Sequence, residues 1–122
     1  MIIGIGVDIV DVERFKKLAE RQPTFINRVL TDAEQIRADG TKLNTLSLAS
    51  RFAAKEAVAK SLGAPAGLSW HDCEVLGDIN GRPSVNLRGT VLAESNRQGV
   101  KSFHISISHD GDFAIAYVVA EG

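Results

Sequence analysis

The spacing of apolar residues along this chain predicts an alternation of strands and helices. Residues 2–10 are rich in β-branched side chains and predict a buried strand. Apolar residues at helical spacing predict a first helix over residues 11–22, which Pro23 ends. In residues 103–108, apolar and polar side chains alternate, which predicts a strand with one polar face.

Caps and turns predict the remaining elements. They are a short helix over 24–30, a helix from 31 toward 38 that starts at the capping box Thr31-Asp-Ala-Glu34, a long helix over 44–62 with Gly63 as its C-cap, strands over 73–79 and 84–87 joined by Asn80-Gly-Arg-Pro83, a helix over 90–97, and strands over 102–108 and 113–120 joined by Asp110-Gly-Asp112. The chain shows no internal repeat and no linker. We therefore predict a single α+β domain, residues 1–122, with a mostly antiparallel sheet packed against helices.

The long predicted helix carries few charges, and they lie close together. Within residues 43–62 only Arg51, Lys55, Glu56 and Lys60 are charged, and their neighbours are mostly small or apolar. An exposed helix has a broad polar face, so this helix is predicted to be largely buried. Arg51 and Lys55 are four residues apart, a like-charge spacing that destabilises a helix unless an anion lies between them. The pattern predicts a phosphate site with a metal ligand.

Structural explanations of the same charges stay open at this point. Glu56 and Lys60 have the favourable orientation of a helix salt bridge, and Arg51 and Lys55 can extend their charged ends to solvent. Asp8 lies in an apolar strand and needs a partner. It can cap the following turn or pair with an arginine. Alternatively, Asp8 and Glu56 supply two oxygen ligands that suit Mg²⁺ completed by waters and substrate phosphates.

Composition narrows the functional classes. The net charge of −1 argues against a general nucleic-acid-binding protein, although it leaves room for a local basic patch. The single cysteine, Cys73, cannot form an internal disulfide, which fits a reducing compartment. No apolar run is long enough to span a membrane, and the N-terminus lacks the pattern of a signal peptide. We therefore expect a cytoplasmic protein without membrane or nucleic-acid partners.

Two further patterns suggest common sites but lack an essential part. The segment Gly4-Ile-Gly-Val-Asp8 is similar to the start of a dinucleotide fingerprint, but Ile9 stands where the third glycine is needed. The run Ser106-Ile-Ser-His109 contains the residue types of a serine hydrolase, but no nucleophile-elbow pattern is present. The hydroxyls and His109 fit a polar pocket or a solvated strand face equally well.

The basic residues of the first two helices suggest a protein-docking face. Arg14 and Arg21 lie on the predicted first helix and Arg28 on the second. Such a face is usually only solvated, but it can also attract an acidic protein partner.

Four blocks together resemble the holo-[acyl-carrier-protein] synthases, the small, single-domain type of 4′-phosphopantetheinyl transferase. They are Gly4-Ile-Gly-Val-Asp8-Ile-Val, Arg51-Phe-Ala-Ala-Lys-Glu-Ala-Val-Ala-Lys60, Asn80-Gly-Arg-Pro83 and Ser106-Ile-Ser-His109. The blocks occur in the family's order and at matching separations, and the similarity spans nearly the whole chain. The resemblance implies transfer of 4′-phosphopantetheine from coenzyme A to a serine of acyl carrier protein. Adenosine 3′,5′-bisphosphate is the by-product, and the reaction supports fatty acid biosynthesis.

The resemblance also implies roles for the charged helix. Asp8 and Glu56 match the family's Mg²⁺ ligands, and Lys60 matches the lysine that contacts the phosphates and stabilises the leaving group. Arg51 and Lys55 would extend the same anion-binding surface. The proton of the acceptor serine goes either to a water or to a metal-bound carboxylate, and Glu56 is the better candidate if a side chain accepts it directly.

The resemblance further implies the binding surfaces. Gly81, Arg82 and Pro83 would form a loop beside the adenine nucleotide, with His109 and either Ser106 or Ser108 at the nucleotide end. Arg14 would dock the acidic recognition helix of the carrier protein, supported by Arg21 and Arg28. The family typically forms homotrimers with active sites between subunits.

Two other functions remain compatible with the residues alone. A coenzyme-binding module without catalysis would use the same cationic helix but has no need of a metal-bridged pyrophosphate. A Mg²⁺-dependent hydrolase of nucleotide pyrophosphates would use the same ions, with water as nucleophile. The basic first helix argues against the hydrolase, because a hydrolase of small molecules needs no protein-docking face.

Overall fold

The computed structural model describes all residues from Met1 to Gly122. It contains five strands and four α-helices in an α+β arrangement, which confirms the predicted fold class. In chain order they are β1 (Ile2–Asp11), α1 (Val12–Arg21), α2 (Phe25–Val29), α3 (Thr45–Ser61), β2 (Cys73–Gly77), β3 (Pro83–Leu87), α4 (Gly89–Gln98), β4 (Ser102–Asp110) and β5 (Phe113–Glu121). No helix is both long enough and apolar enough to cross a membrane.

The larger sheet has the strand order β1-β5-β4, and both pairings are antiparallel. A tight turn at Gly111 joins β4 to β5, so that Asp110 pairs with Phe113 as the predicted turn requires. Strands β2 and β3 form a separate antiparallel hairpin. The site described below depends on where α3 lies relative to these two sheets.

Helix α3 lies unusually close to β1, and two glycines permit this approach. A Cβ atom on Gly6 would stand 1.9 Å from the carbonyl oxygen of Ala57, and one on Gly4 would stand 1.8 Å from that of Ser61. Neither position can therefore take any other residue without moving the helix. The glycines of the first sequence block therefore serve the packing of α3 against β1.

The opposite face of the larger sheet is apolar and uncovered. Side chains on this face are between 39% and 59% exposed: Ile5, Val7, Ile9, Phe113, Ile115 and Tyr117. The strand register places Ser106 opposite Tyr117 and Ser108 opposite Ile115, so both serines lie on this outer face as well. We call this surface the outer sheet face.

The helix predicted from residue 31 toward residue 38 is wrong. The capping box forms, since Glu34 N–H donates to Thr31 Oγ1 at 3.3 Å and Thr31 N–H donates to Glu34 Oε1 at 2.9 Å. However, only a 3-10 turn at Ala33–Gln35 follows, and Ile36 is extended and bridges to Lys42. The physical reason is that Glu34 is fully buried and bonds to α3 and β2, which holds this segment against them more strongly than local helix propensity favours continuation.

Candidate active site

Asp8 and Lys60 meet where β1 crosses α3. Asp8 shares the face of β1 that carries the two close-packed glycines, and Lys60 lies in the last turn of α3. Lys60 Nζ donates to Asp8 Oδ1 at 2.9 Å, and the Asp8 side chain is 15% exposed. The buried strand position of Asp8 is therefore balanced by a lysine, and not by an arginine or a turn.

Glu56 is close to this pair but forms no ion pair itself. Burial raises the pKa of its carboxyl above the ordinary value, the neighbouring Asp8 carboxylate raises it further, and Lys60 lowers it. The helix salt bridge between Glu56 and Lys60 does not form, because Lys60 turns toward Asp8. Two neighbouring carboxylates thus have one lysine beside them, which pairs with Asp8 alone, and a divalent cation would stabilise this arrangement.

The donor set fits Mg²⁺ with an incomplete protein shell. Mg²⁺ usually binds through one or two carboxylates and completes its octahedron with waters and substrate phosphates. No cluster of three or more histidine, cysteine, aspartate or glutamate side chains exists in the chain, so Asp8 and Glu56 would be the protein's whole contribution. Such a site would bind the ion most firmly when a phosphate is also present.

A cleft of about 310 Å³ opens beside these carboxylates. It is lined by Asp8, Glu56, Arg14 and apolar side chains that include Phe15 and Phe52. Arg14 reaches this position because the chain passes directly from β1 into α1, where Asp11 Oδ1 accepts the Arg14 N–H at 3.1 Å. We call this the carboxylate cleft.

The other two arginines of the predicted docking face lie outside the carboxylate cleft. Arg21 is exposed in the last turn of α1, and the Arg28 guanidinium lies 5.7 Å from the Phe25 ring centroid on α2. The structure thus brings Arg14 to the carboxylates and leaves Arg21 and Arg28 outside the cleft.

Lys55 does not reach an anion-binding surface, contrary to the sequence expectation. Its side chain is 1% exposed, and its Nζ pairs with Glu34 Oε1 at 2.5 Å. Arg51 is held by the same segment, since its guanidinium donates to the main-chain oxygens of Glu34 at 2.8 Å and Ile36 at 3.2 Å. The like-charge helix pair is therefore balanced by a buried carboxylate and carbonyls.

A second cleft, of about 500 Å³, brings together Arg51, Gly81, Pro83 and His109. The loop after β2 is closed by Asp78, whose Oδ1 accepts the N–H groups of Asn80 and Arg82. We call this the loop cleft. It contains Gly81, Pro83 and His109, which the resemblance places at the nucleotide, and Arg51, which the resemblance places on the anion-binding surface.

Two predicted members are not in the loop cleft. Arg82 points to the other side of its loop and lines a different cavity, with Ser102 and His104. Ser108 lies on the outer sheet face, because neighbouring residues of a strand point to opposite sides and His109 points inward. Within one chain, neither Ser106 nor Ser108 can therefore act together with His109.

Sequence reasoning missed Glu34 and Asp78. Glu34 is completely buried, and its Oε2 also accepts the Val75 N–H at 2.9 Å, which ties α3, β2 and the 3-10 turn together. The sequence shows that Glu34 occupies a capping-box position, but it does not show that Lys55 is its ion-pair partner. Asp78 carries the signal of an Asx turn before Asn80-Gly81.

A serine hydrolase geometry is absent. His104 contacts both Ser102 Oγ at 3.4 Å and Glu121 Oε1 at 2.9 Å, but both contacts use the same ring nitrogen, Nε2. A catalytic triad needs the acid and the serine on different nitrogens. His71 is also structural, because its Nε2 contacts the Asn27 carbonyl oxygen at 2.8 Å.

The carboxylate cleft and the loop cleft open on different sides of α3. Arg51 and Glu56 are five residues apart, which places their side chains about 140° apart around the helix axis. One chain thus carries the carboxylate cleft facing one way and the loop cleft facing another.

Known proteins with this fold share both sequence and function class. The model of the 4′-phosphopantetheinyl transferase superfamily matches residues 4–118. The holo-[acyl-carrier-protein] synthase of Pseudarthrobacter chlorophenolicus is 57% identical over 122 residues, covering 100% of both chains.

Solved structures agree with the sequence relatives. The holo-[acyl-carrier-protein] synthase of Neisseria meningitidis superposes with a TM-score of 0.85 at 34% identity, covering 100% of both chains. The Helicobacter pylori enzyme, solved in complex with coenzyme A, gives a TM-score of 0.81 at 32% identity and covers 96% of this chain and 99% of its own.

Proposed function

Because the chain belongs to the 4′-phosphopantetheinyl transferase superfamily, among its holo-[acyl-carrier-protein] synthases, we propose that it transfers 4′-phosphopantetheine from coenzyme A to a serine of apo-acyl carrier protein. Adenosine 3′,5′-bisphosphate is the second product. The observation that carries this proposal is the Lys60–Asp8 pair together with Glu56, because both carboxylates line a cleft that also contains Arg14.

In the proposed reaction the acceptor serine oxygen forms a bond to the β-phosphorus of coenzyme A. The bond from that phosphorus to the bridging oxygen breaks, and its electron pair leaves with adenosine 3′,5′-bisphosphate. Lys60 is half-exposed and can donate to phosphate oxygens while remaining close to Asp8. Glu56, whose pKa is raised by burial, is the side chain proposed to accept the serine proton if no water does.

We also propose Mg²⁺ as the cofactor, held by Asp8 and Glu56. When bound, the ion would neutralise charge on the pyrophosphate in the transition state. The support is chemical: two carboxylates close together, one with a raised pKa, form a site that favours a divalent cation.

The proposed protein partner binds across α1. Acyl carrier protein presents an acidic helix in the family, and Arg14 borders the carboxylates where the acceptor serine must arrive. Arg21 and Arg28 extend the positive charge away from the cleft. Charge complementarity of this kind orients a partner as well as attracting it.

The nucleotide end of coenzyme A is assigned to the loop cleft, with Arg51, Gly81, Pro83 and His109 as contacts. Because this cleft and the carboxylate cleft open on different sides of α3, we propose a homotrimer in which one subunit's loop cleft completes its neighbour's carboxylate cleft. The uncovered outer sheet face supports this assembly, since exposed apolar patches of this kind commonly mark interfaces.

The biological setting follows from the proposed acceptor. A holo-acyl carrier protein is needed for fatty acid biosynthesis, and we propose that the enzyme works in the cytoplasm. The buried, unpaired thiol of Cys73 fits a reducing compartment.

Intact-mass spectrometry tests the function directly. Apo-acyl carrier protein is incubated with this protein, coenzyme A and Mg²⁺, with and without a chelator. A mass gain of one phosphopantetheine that the chelator prevents is the expected result. Cleavage of coenzyme A without carrier modification would instead support a nucleotide-pyrophosphate hydrolase, and binding without either change would support a non-catalytic module.

A further inference from the structure

A groove of about 600 Å³ lies between β3, α4 and the first residues of β4, and it is larger than either cleft. It exists because β3 and β4 are neighbours that do not pair. Strand β3 pairs only with β2, β4 is an edge strand of the larger sheet, and no main-chain hydrogen bond joins the two. Sites for small molecules have volumes of roughly 300–1,000 Å³, so this groove is large enough for one. We call it the edge groove.

The edge groove combines apolar walls with charges of one sign. Its main apolar side chains come from all three elements and are Val85, Leu87, Leu92, Phe103 and Ile105. Its charged side chains are Arg82, Lys101 and His104, and no acidic side chain lines it. His104 already contacts Glu121 Oε1 at 2.9 Å, whereas Arg82 and Lys101 form no ion pair. The groove therefore favours a ligand that has both a hydrocarbon part and a negative charge.

Ser95 adds a polar group that lacks a partner. It lines the edge groove from α4 and is 2% exposed. Its Oγ is the only buried side-chain nitrogen or oxygen of the chain that forms no hydrogen bond. The main chain places Ser95 close to Lys101, because the Val100 N–H donates to the Ser95 carbonyl oxygen at 2.9 Å. A buried hydroxyl without a partner destabilises a fold, and a ligand oxygen in the groove would supply the missing acceptor.

We propose that the edge groove binds an amphipathic anion, which is a hydrocarbon chain that ends in a carboxylate or a phosphate. Strand β3 lines one wall over about 13 Å, which matches an extended chain of about eight to ten carbons. The chain packs on the apolar walls. The anionic head accepts a hydrogen bond from Ser95 Oγ and is attracted by Arg82 and Lys101.

This binding site is separate from the proposed transferase site. The edge groove shares only Pro83 with the loop cleft and no residue with the carboxylate cleft. Arg82 thus has a role away from the nucleotide, although it belongs to a sequence block that resembles the nucleotide loop. The inference stands or falls independently of the transferase function.

A titration of the nitrogen-labelled wild-type protein, followed in two-dimensional amide NMR spectra, tests the site. The probes are octanoate, octyl phosphate, uncharged octanol, and acetate, which has the carboxylate without the chain. We expect at least one of the two amphipathic anions to bind about tenfold or more tightly than octanol, because hydrogen bonds to a charged group are strong. Acetate should cause no shifts at the concentrations that saturate that anion. The tighter of the two anions identifies the head group.

The amide signals that shift locate the site. We expect the largest shifts at Val85, Leu87 and Phe103, which line the edge groove on both strands. Shifts confined to the outer sheet face or to the loop cleft would overturn the inference. Equal affinities for octanol and for both anions would overturn it as well.

Removal of the two unpaired cations gives the second measurement. Arg82→Gln/Lys101→Gln should weaken the tighter anion about tenfold or more and leave octanol within about twofold. Lys17→Gln/Arg21→Gln makes the same change in net charge at exposed positions of α1 and should leave both ligands within about twofold. If the two double variants weakened the anion equally, the attraction would be general and the site would be wrong.

Ser95→Ala tests the hydroxyl by two opposite effects. Without ligand, the variant should melt about 2–4 °C above the wild type, because it removes a buried hydroxyl that has no partner. With ligand, it should bind the anion about threefold or more weakly, because the head loses a donor. A lower melting temperature would show that Ser95 Oγ bonds within the fold. Either that result or unchanged anion binding would overturn its role as the donor to the ligand.

Discussion

Lys60 pairs with Asp8 across the helix–strand contact and not with Glu56, which lies one turn earlier on the same helix. This choice leaves Glu56 as a partly buried carboxylate without a cation of its own, beside a second carboxylate. Two neighbouring carboxylates of this kind destabilise the metal-free fold, and they favour the binding of a divalent cation.

Replacing Lys60 should reduce transfer far more than it reduces stability. Lys60→Met removes the donor proposed for the phosphates, and we expect kcat to fall by about a hundredfold or more. The ion pair to Asp8 is exposed on the lysine side, so its loss should cost about 1 kcal/mol of unfolding free energy and lower the thermal midpoint by only a few degrees. Lys101→Met, on an exposed residue outside the site, serves as the control. Retention of wild-type kcat in Lys60→Met would remove the lysine from the mechanism.

Glu56→Gln should abolish Mg²⁺-dependent transfer and yet stabilise the metal-free fold at pH 7. The folded-state pKa of Glu56 lies above its unfolded-state pKa, so folding favours the protonated carboxyl. The resulting contribution to the free energy of unfolding is fully present at pH values below the unfolded-state pKa. That stability is lost as the pH rises through the folded pKa. Glutamine does not ionise, and the variant should therefore melt at a higher temperature than the wild type at pH 7.

The melting difference should shrink as the pH falls toward 4, where the wild-type carboxyl is protonated. Added Mg²⁺ should raise the thermal midpoint of the wild type and not that of Glu56→Gln. The exposed Glu20→Gln provides the matched control. A lower midpoint for Glu56→Gln at pH 7 would contradict the assigned direction of the pKa.

Arg14→Glu should separate partner binding from coenzyme binding. Reversing this charge at the carboxylate cleft should lower kcat/KM for apo-acyl carrier protein at least tenfold, because the partner is acidic. The Kd for coenzyme A, measured by calorimetry, should remain nearly unchanged. Lys101→Glu makes the same charge change away from α1. If Arg14→Glu weakened coenzyme A binding as much as it lowered kcat/KM for the carrier protein, the docking assignment of Arg14 would be wrong.

Breaking the buried ion pair of Glu34 and Lys55 should lower the free energy of unfolding strongly, whereas replacing both residues should lower it much less. Both side chains are at most 1% exposed, so Glu34→Gln leaves an uncompensated buried ammonium and should lower the free energy of unfolding by about 3–5 kcal/mol. Adding Lys55→Met removes that charge and should recover most of the loss. Urea denaturation of the single and the double variant measures both free energies of unfolding. If Lys55→Met added a further loss of unfolding free energy to that of Glu34→Gln, the prediction would be refuted.

The outer sheet face should control assembly. Val7→Asp places a carboxylate in the middle of this face and should convert the proposed trimer to monomers in sedimentation velocity. Leu92→Asp, on α4 with a similar exposure of 41% compared with 47% for Val7, should not. A wild-type protein that sediments as a monomer would disprove the trimer itself.

Local sequence patterns predicted most elements because they depend on neighbours in the chain. Helix α3 begins after Asn44, whose side chain caps it, and ends one residue before its predicted boundary. The strand pairs with turns at Asp110-Gly-Asp112 and Asn80-Gly-Arg-Pro83 also formed close to their predicted bounds. The failed helix after Thr31 shows the limit, because a distant lysine in α3 decides what Glu34 does.

The sequence by itself therefore determined the element types, the family and the set of charged residues at Asp8, Glu56 and Lys60. The tertiary structure alone decided which charges meet: Lys55 is neutralised by Glu34, and Lys60 pairs with Asp8. Secondary structure follows from interactions over a few residues, whereas the partner of a buried charge depends on packing between segments tens of residues apart, which no local pattern records.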